Sequence, residues 1–421
     1  MLIVIMLIFV LELCACFVLC FGQNQGIKGH DEPEYPTNLH NGLSEATGNF
    51  SVELLYHAAK KQGKQNLILS PITAWTVLAV TSEGALGNTR TQLVSALRIK
   101  RNRTVTRHDF QEIARWLVVN TTTVHLAKFN GIFVDKSKSL EDDFRQSSKT
   151  FYDTQTVDLD FRNSAATAAT INGAVSTATK GRIPKLVDES NLSDAQMIIT
   201  SAVYFKGQWT APFNVSSTTK QNFYNSSGMK IGEVNMMYNR YTYPFANIKE
   251  IQARVIELPY GVENRLSMLL MLPNPGVTLE DMFLNFKKVP LDTVFQELKL
   301  SQEEYSDDEI DCFIPRFKID SSIELNEILK EGMGIYDLFD PVKANLGRLA
   351  RVPMYVTRVI HKAEIEVTEE GTTASGATAA EFANRIGVIR FEANRPFSYL
   401  IVEKVTNTIV FGGVYQQPIL Y

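Results

Sequence analysis

The sequence feature that most limits the possible fold is a run of ten consecutive small residues near the carboxyl end, at positions 371–380. Gly, Ala, Ser and Thr bury little apolar area and leave the backbone mobile, which is typical of an exposed linker. An extended backbone would instead place every second residue on one face, and on one face here each residue is small and uncharged. These residues are Thr372, Ala374, Gly376, Thr378 and Ala380. The run therefore fits either a surface loop or a strand that could be buried.

The flanking sequence favours the strand interpretation. Apolar and charged residues alternate over positions 362–367, the pattern of a half-buried strand that leads into the run through Glu369 and Glu370. Two further strand patterns begin within positions 391–397. The small residues are therefore flanked by predicted strands on both sides.

Other segments, in chain order, carry a family resemblance: Asn66-Leu67-Ile68-Leu69-Ser70-Pro71, Gly84-Ala85-Leu86-Gly87-Asn88-Thr89-Arg90, Phe205-Lys206-Gly207-Gln208-Trp209, Glu257-Leu258-Pro259-Tyr260, His361-Lys362-Ala363 and Phe411-Gly412-Gly413. With the small-residue run, they resemble the serpins, the large serine protease inhibitors, over residues 45 to 418. The resemblance implies an α+β fold of about nine helices around three β-sheets. It also implies an exposed reactive loop at about 369–390 that can insert into the main sheet.

Composition agrees with one large domain, which we place at residues 45–421. Hydrophobic residues make up 45% of the 421, enough for a sizeable core. The net charge of -4 gives no reason to expect a nucleic-acid partner, and we expect a monomer. Helical patterns lie at 44–62, 72–82, 89–97 and 110–118, and strand patterns concentrate after residue 197.

The amino terminus is apolar from Leu2 to Phe21 and turns polar after Gly22. This pattern predicts a secretory signal at residues 1–22, a polar extension at 23–44 and a secreted, extracellular protein. No Lys or Arg precedes the apolar run, and its length also suits a membrane span, so a retained membrane anchor stays an alternative.

Removal of the signal would leave Cys312 as the single cysteine, because Cys14, Cys16 and Cys20 lie within it. We therefore expect no internal disulfide. Cys312 lies in an apolar strand-like run, so a buried inert thiol is favoured over a nucleophile. The Asn-x-Ser/Thr triplets, which are candidate glycosylation sites in a secreted chain, begin at Asn49, Asn102, Asn120, Asn191, Asn214 and Asn225.

Motifs of enzymes are missing from the sequence. It contains no Gly-x-Ser-x-Gly elbow, no Gly-x-x-x-x-Gly-Lys phosphate loop and no His-Glu-x-x-His metal helix, and its six histidines form no ligand pattern. We expect no catalysis, no cofactor and no metal.

The resemblance implies that the loop acts as bait for a protease. The protease serine would attack the carbonyl carbon of Arg385 in the reactive bond Arg385-Ile386, giving an acyl-enzyme, and the cleaved loop would insert as a new strand. The small hinge residues match those of inhibitory serpins. A charged residue in place of Thr372 would carry a free-energy cost when the hinge is buried in the sheet. The loop hinge comprises Glu369, Glu370, Gly371, Thr372, Ala374, Ser375, Gly376, Ala377 and Thr378.

The family spacing identifies Arg385 as the specificity residue, since it follows Gly371 by 14 positions. An arginine there suits a trypsin-like protease, whose acidic pocket would bind the guanidinium by charge-assisted hydrogen bonds. Arg390 is a second, less well placed candidate. Arg385-Ile386-Gly387 also resembles the activation cleavage of trypsin-like zymogens, which gives the hypothesis that the target activates another protease.

The resemblance also implies residues that control opening of the sheet. Ser70, Asn172 and His361 match the shutter beneath the opening strands, and Thr73 stands where many serpins have a second serine. The breach at the top of the sheet is matched by Trp209 and by the pair of Arg316 and Glu369. For Trp209 and Asn172, plain core packing stays an alternative.

A basic cluster lies where some serpins bind heparin-like polyanions: Arg98, Lys100, Arg101, Arg103 and Arg107. A solvated basic turn is favoured, because a glycan on Asn102 would obstruct a large anion. Two other functional classes stay open: a non-inhibitory serpin that serves as carrier, storage or chaperone protein, and a substrate-like protein whose loop is cleaved without trapping the protease.

Overall fold

The computed structural model describes residues 42–100, 102–192, 194–305, 308–370 and 389–421. The predicted signal segment, the reactive bond and most of the loop hinge lie outside these ranges. The described residues belong to one compact unit, which contains every helix and strand given below.

The helices of the described residues follow the amphipathic and capping patterns of the sequence. Pro71 opens one helix at its first position, where its fixed φ suits a helix and its missing N–H is not needed. Asn102 caps another by accepting hydrogen bonds from the backbone N–H groups of Thr104 and Val105. The α-helices are α1 (Gly42–Gln62), α2 (Pro71–Gly84), α3 (Gly87–Ala96), α4 (Arg103–Trp116), α5 (Asp142–Tyr152), α6 (Ser164–Ala178), α7 (Leu279–Phe286) and α8 (Leu291–Glu304).

All four predicted helical patterns are helices, with ends that differ by a few residues and by seven at the start of α4. Helix α1 begins at Gly42, so the last three residues of the predicted polar extension, 42–44, belong to it. Among the described helices, none has the length and apolar character that a bilayer crossing would need.

The strands are β1 (Leu67–Leu69), β2 (Val124–Asp135), β3 (Gln155–Leu159), β4 (Met197–Gly207), β5 (Thr219–Tyr224), β6 (Lys230–Tyr241), β7 (Phe245–Ile248), β8 (Ala253–Tyr260), β9 (Leu266–Pro273), β10 (Ile310–Pro315), β11 (Phe317–Glu324), β12 (Arg358–Val367), β13 (Ile389–Glu392), β14 (Phe397–Glu403) and β15 (Thr408–Tyr415). They form a six-stranded sheet in the order β1-β15-β14-β9-β8-β7 and a four-stranded sheet in the order β13-β10-β6-β5. The third, called the main sheet here, has the order β11-β12-β4-β2-β3. The predicted α+β architecture with three sheets is confirmed.

Two neighbouring strands of the main sheet, β12 and β4, run in the same direction. β12 and β4 run parallel, from Arg358 beside Ile198 to Glu364 beside Tyr204, whereas β12 is antiparallel to β11 and β4 is antiparallel to β2. A strand that entered between β12 and β4 after a chain reversal would be antiparallel to both. One parallel pairing would then give way to two antiparallel pairings, which are slightly more stable per residue.

Apolar packing covers both faces of the main sheet. Met197, Ile199 and Val203 of β4 belong to the large core that also contains α2, whereas Ile198 and Ala202 pack on the opposite face with residues of α6. This alternation follows from the two-residue period of a strand. It decides which side chains of β4 and β12 can meet α2 and which meet α6.

Candidate functional site

A buried histidine joins helix α2 to the main sheet. Nε2 of His361 accepts a hydrogen bond from the backbone N–H of Ser70 at 2.9 Å, and its Nδ1 lies 2.8 Å from Oγ of Ser201. Ser70 is tied further, because its Oγ donates to the carbonyl oxygen of Val410 at 2.6 Å and its own carbonyl accepts from Thr73 Oγ1 at 3.1 Å. We call Ser70, Ser201 and His361 the shutter cluster.

The shutter cluster bridges the parallel strands. His361 of β12 and Ser201 of β4 are direct register partners, and their side chains hydrogen bond across that pairing. A strand inserted between β12 and β4 would have to separate them. The side-chain bond is therefore a local restraint on opening of the sheet.

Burial sets the protonation state of this histidine. His361 is fully buried, and desolvation of its charged form lowers its pKa to about 3. The imidazole is therefore neutral near pH 7. Because the backbone N–H of Ser70 can only donate, Nε2 is the acceptor and the proton lies on Nδ1, from which it reaches Ser201.

Asn172 is not brought into this cluster. It lies in α6, where its Nδ2 donates to the carbonyl of Val187 at 2.9 Å and its Oδ1 accepts from the N–H groups of Leu186 and Val187 at 2.7 and 3.0 Å. Helix α6 packs on the face of the main sheet opposite to α2, so Asn172 cannot reach His361. It fixes the segment that follows α6, and Ser201 occupies the place expected for it.

A second set of contacts surrounds the end of β12. Trp209 donates from Nε1 to the carbonyl oxygen of Thr368 at 2.8 Å, and its ring stacks on Tyr260 with centroids 4.4 Å apart. The indole is buried by packing, yet it also holds the backbone just beyond β12. Core packing and a hydrogen bond to the backbone beyond β12 are thus combined in Trp209.

Glu369 is buried at this end of the sheet and is held by three groups. Its Oε1 accepts from Thr218 Oγ1 at 2.6 Å and lies 3.5 Å from Nη1 of Arg316, and its carbonyl accepts from the N–H of Phe213 at 2.9 Å. A buried carboxylate without such partners would be strongly destabilising. We call Trp209, Thr218, Arg316, Thr368 and Glu369 the breach cluster.

The pairing of β12 with β4 ends before the strands do. Glu364 and Tyr204 form the last registered pair, although β12 continues to Val367 and β4 to Gly207. The two strands have therefore already separated beside the breach cluster. An inserting strand would enter at this end.

Comparisons with known proteins agree with this geometry. A family model described as Serpin (serine protease inhibitor) matches residues 45–418. The chain belongs to the serpin family.

Similar proteins include macrophage plasminogen activator inhibitor 2 of Mus musculus and leukocyte elastase inhibitor of Bos taurus. Each is 31% identical, and each alignment covers 89% of this serpin and 99% of the relative. Among solved structures, protease nexin-1 with heparin and the thyroxine-binding globulin complex with thyroxine each share the fold at a TM-score of 0.77 and 24% identity. The first alignment covers 90% of this serpin and 99% of the other chain, and the second covers 90% and 100%. The family supports protease inhibition as the general function.

The loop of this serpin is described only at its two ends. Glu369 is buried and Glu370 is half-buried, and β13 resumes at Ile389, parallel to β10. The remaining predicted loop residues lie outside the described ranges: Gly371, Thr372, Ala374, Ser375, Gly376, Ala377, Thr378, Arg385 and Ile386.

The predicted basic cluster is largely engaged in ion pairs. Nη2 of Arg98 lies 2.7 Å from Oε2 of Glu53. The buried carboxylate of Glu83 receives both Arg103, at 3.3 Å, and Arg107, at 3.0 Å. Lys100 is exposed, and Arg101 lies outside the described residues. The positive charge of this region is therefore partly neutralised by acidic neighbours.

The asparagines of the predicted glycosylation triplets differ in solvent exposure. Asn102 and Asn120 are exposed, and Asn191, Asn214 and Asn225 are half-buried. Asn49 lies inside α1 and is followed by Phe50 and Ser51, which are buried. A helix interior with buried following residues is the least suitable of these positions for a bulky surface glycan.

Cys312 is a free cysteine with no exposed surface in β10. Burial raises the pKa of its thiol, so the reactive thiolate is disfavoured. This environment fits the expectation of a buried, inert thiol.

Sequence reasoning missed Ser201, Thr218 and Tyr260 as site residues. A signal existed for Ser201, because it interrupts the buried apolar run Met197–Phe205 and a hydroxyl in such a place needs a partner. The partner could not be read from the chain, since His361 lies 160 positions away.

Proposed function

We propose that this serpin is a secreted suicide inhibitor of trypsin-like serine proteases, with Arg385-Ile386 as the bait bond. One observation carries the proposal: β12 and β4 form a parallel pair, already separated at the breach cluster, and β12 leads through Glu369 and Glu370 into a run of small uncharged residues. The sheet offers a place for one strand, and the sequence supplies residues that can be buried there.

The chemical steps follow from the bait bond. The protease serine attacks the carbonyl carbon of Arg385, the peptide bond to Ile386 breaks, and Ile386 leaves with a new amino group. Arg385 remains bound to the protease as an ester. Insertion of the hinge between β12 and β4 then carries the ester-linked protease away before water can hydrolyse the ester.

The hinge favours insertion over simple cleavage. Burial of an unpaired charge would cost several kcal/mol, and positions 371–380 contain no charged side chain. Glu369 is already buried with its partners Arg316 and Thr218, so the first acidic residue of the hinge needs no new compensation.

The names of similar proteins support inhibition and also define the alternative. Plasminogen activator inhibitor 2 and leukocyte elastase inhibitor are named for inhibited proteases, whereas thyroxine-binding globulin is named for a bound hormone. A non-inhibitory carrier therefore stays the alternative, as does a loop that is cleaved without trapping. The small hinge favours inhibition over both.

Arg385 suggests the target class. We propose a trypsin-like protease, and the likeness of Arg385-Ile386-Gly387 to a zymogen activation site suggests one that activates another protease in an extracellular cascade. A cleavage survey with synthetic peptides of this loop would test the preference directly, and preference for a bond other than Arg385-Ile386 would contradict it.

The proposal that the protein is secreted rests on the apolar segment at 2–21, which precedes the family match that begins at residue 45. Expression of the full chain in secretory cells should release a protein whose amino terminus begins after Gly22 and whose exposed Asn102 and Asn120 carry glycans. Retention in the membrane fraction with an intact amino terminus would instead support the anchor.

The decisive experiment mixes the protein with trypsin at equal molar amounts and follows the products on denaturing gels and by intact mass. We expect a covalent adduct for the wild type and for Arg390→Ala, the matched control at the second arginine. We expect no adduct for Arg385→Ala, and complete cleavage without adduct for Thr372→Glu, whose charge would be unpaired on burial and which adds no trypsin site. Cleavage of the wild type without adduct would overturn the trapping mechanism.

A further inference from the structure

Tyr421, the last residue of the sequence, contacts the breach cluster from outside. Its carbonyl oxygen accepts from Nε of Arg316 at 2.6 Å and from Nδ2 of Asn235 at 2.8 Å. Its phenol hydroxyl donates to the carboxylate of Glu366, and its ring lies 5.9 Å from the guanidinium carbon of Arg316. Tyr421 thus binds the same arginine that pairs with Glu369.

These contacts join two sheets. Glu366 belongs to β12 of the main sheet, whereas Asn235 belongs to β6 of the four-stranded sheet. Arg316 lies between β10 and β11, and its backbone N–H donates to the carbonyl of Asn235 at 2.8 Å. Tyr421 is therefore a bridge from the four-stranded sheet to the strand beside which the loop would insert.

The segment that carries Tyr421 is closely seated on β6. A methyl group on Gly232 would lie 2.4 Å from Cγ of Pro418, so only a glycine allows this approach. The N–H of Ile419 also donates to the hydroxyl of Tyr415 at 2.9 Å. The backbone of this segment is consequently held against β6 and β15, while the phenol hydroxyl of Tyr421 reaches the main sheet.

β12 would have to move relative to this anchor when the sheet opens. β11 and β12 are antiparallel partners from Phe317 beside Val367 to Glu324 beside Ile360, and Lys318 also pairs with Glu364 at 3.0 Å. They would separate from β4 as a pair. The hydrogen bond from Tyr421 to Glu366 would then be stretched or lost, because Tyr421 is held by Asn235 and Pro418.

We infer that Tyr421 is a positioning residue that holds β12 in its closed place and keeps Arg316 directed at Glu369, so that the sheet does not open before cleavage. The inference rests on the proposed function, since it concerns the same insertion. The hydrogen bond to the acidic Glu366 also raises the pKa of the Tyr421 phenol, which keeps the donor protonated.

The test compares Tyr421→Phe, which removes the hydroxyl, with Tyr421→Ala, which also removes the ring. Leu420→Ala is the matched control, because Leu420 is the adjacent residue and its side chain is 56% exposed. Each protein is incubated without protease, and the remaining trypsin-inhibiting capacity is followed with time. The protein that has lost activity is then examined for its oligomeric state and its thermal unfolding midpoint.

We expect Tyr421→Ala to lose activity about tenfold faster than wild type and Tyr421→Phe about threefold faster, since the net contribution of one ordinary hydrogen bond corresponds to roughly twofold to tenfold in an equilibrium constant. The inactive product should be a monomer that unfolds at a higher temperature than the starting protein, which marks insertion of the uncleaved loop. Leu420→Ala should behave as wild type.

Two results would overturn the inference. One is an unchanged rate of inactivation in Tyr421→Ala, and the other is faster loss through unfolded or aggregated protein, which would reveal a merely structural role. Failure of the proposed function is distinguishable, because in that case the wild type itself would form no adduct with trypsin.

Discussion

The backbone N–H of Ser70 and Nε2 of His361 form a hydrogen bond of 2.9 Å that fixes which ring nitrogen carries the proton. Nε2 must accept, so Nδ1 donates to Ser201 and the imidazole links α2, β12 and β4 in one chain of hydrogen bonds. A second proton on the ring would face the Ser70 N–H and would leave two donors opposed. Acid therefore acts directly on the restraint that joins the two parallel strands.

The first prediction concerns pH. Unfolded His361 binds a proton near its ordinary pKa of 6.5, whereas the buried ring binds one only near 3. Between these values the unfolded chain holds more protons, so stability is fully present above about pH 6.5 and falls as pH falls, by up to about 1.4 kcal/mol per pH unit. Unfolding midpoints of wild type and His361→Gln between about pH 7 and pH 5 check this. Equal slopes in the two proteins would contradict the assignment.

The second prediction concerns Ser201. Ser201→Ala leaves the Nδ1–H of His361 buried without its partner, which costs about 1–3 kcal/mol, and removes the side-chain bond across β12 and β4. We expect faster loss of inhibitory capacity during incubation without protease. The matched control is Ser321→Ala in β11, where Ser321 accepts from the N–H of Ile68 and does not bridge the parallel strands. Equal inactivation rates in both variants would argue against a special role of Ser201.

The third prediction uses Trp209 as a reporter. Its indole N–H bonds to Thr368, at the point where the chain must reverse for the loop to insert. Cleavage by trypsin should therefore change the tryptophan emission of wild type and of Trp116→Phe, and the change should be mostly lost in Trp209→Phe. An unchanged signal in Trp209→Phe would place the rearrangement elsewhere.

The fourth prediction concerns polyanions. Because Arg98, Arg103 and Arg107 already pair with Glu53 and Glu83, we expect heparin to accelerate trypsin inhibition by less than about threefold. Rates with and without heparin at low and high salt measure this. A much larger acceleration that disappears in Lys100→Ala would establish a polyanion site.

Local patterns predicted much of the fold. The helical period located α1 to α3 within a few residues, and alternation located the second half of β12, from Lys362 to Val367. Trp209 and the pair of Arg316 and Glu369 were placed together from the family resemblance, and the structure brings all three to one end of the main sheet.

Contacts that depend on long-range register could not be predicted. Asn172 and Ser201 are both polar residues near buried segments. The pairing of β4 with β12 places Ser201 beside His361 on the side of the sheet that faces α2. Asn172 instead lies in α6, on the other side of the sheet. No sequence pattern predicts the contacts of Tyr421. They depend on the close approach of Pro418 to Gly232, two residues far apart in the sequence.

The parallel pairing of β12 with β4 also determines how such an inhibitor would act over time. One strand can insert between these two parallel strands, and a molecule in which this has happened has no second position for another strand. Each inhibitor molecule would thus be consumed with one protease molecule. The protein would then set a threshold: protease activity stays low until the amount released exceeds the amount of intact inhibitor, and it rises steeply beyond that point.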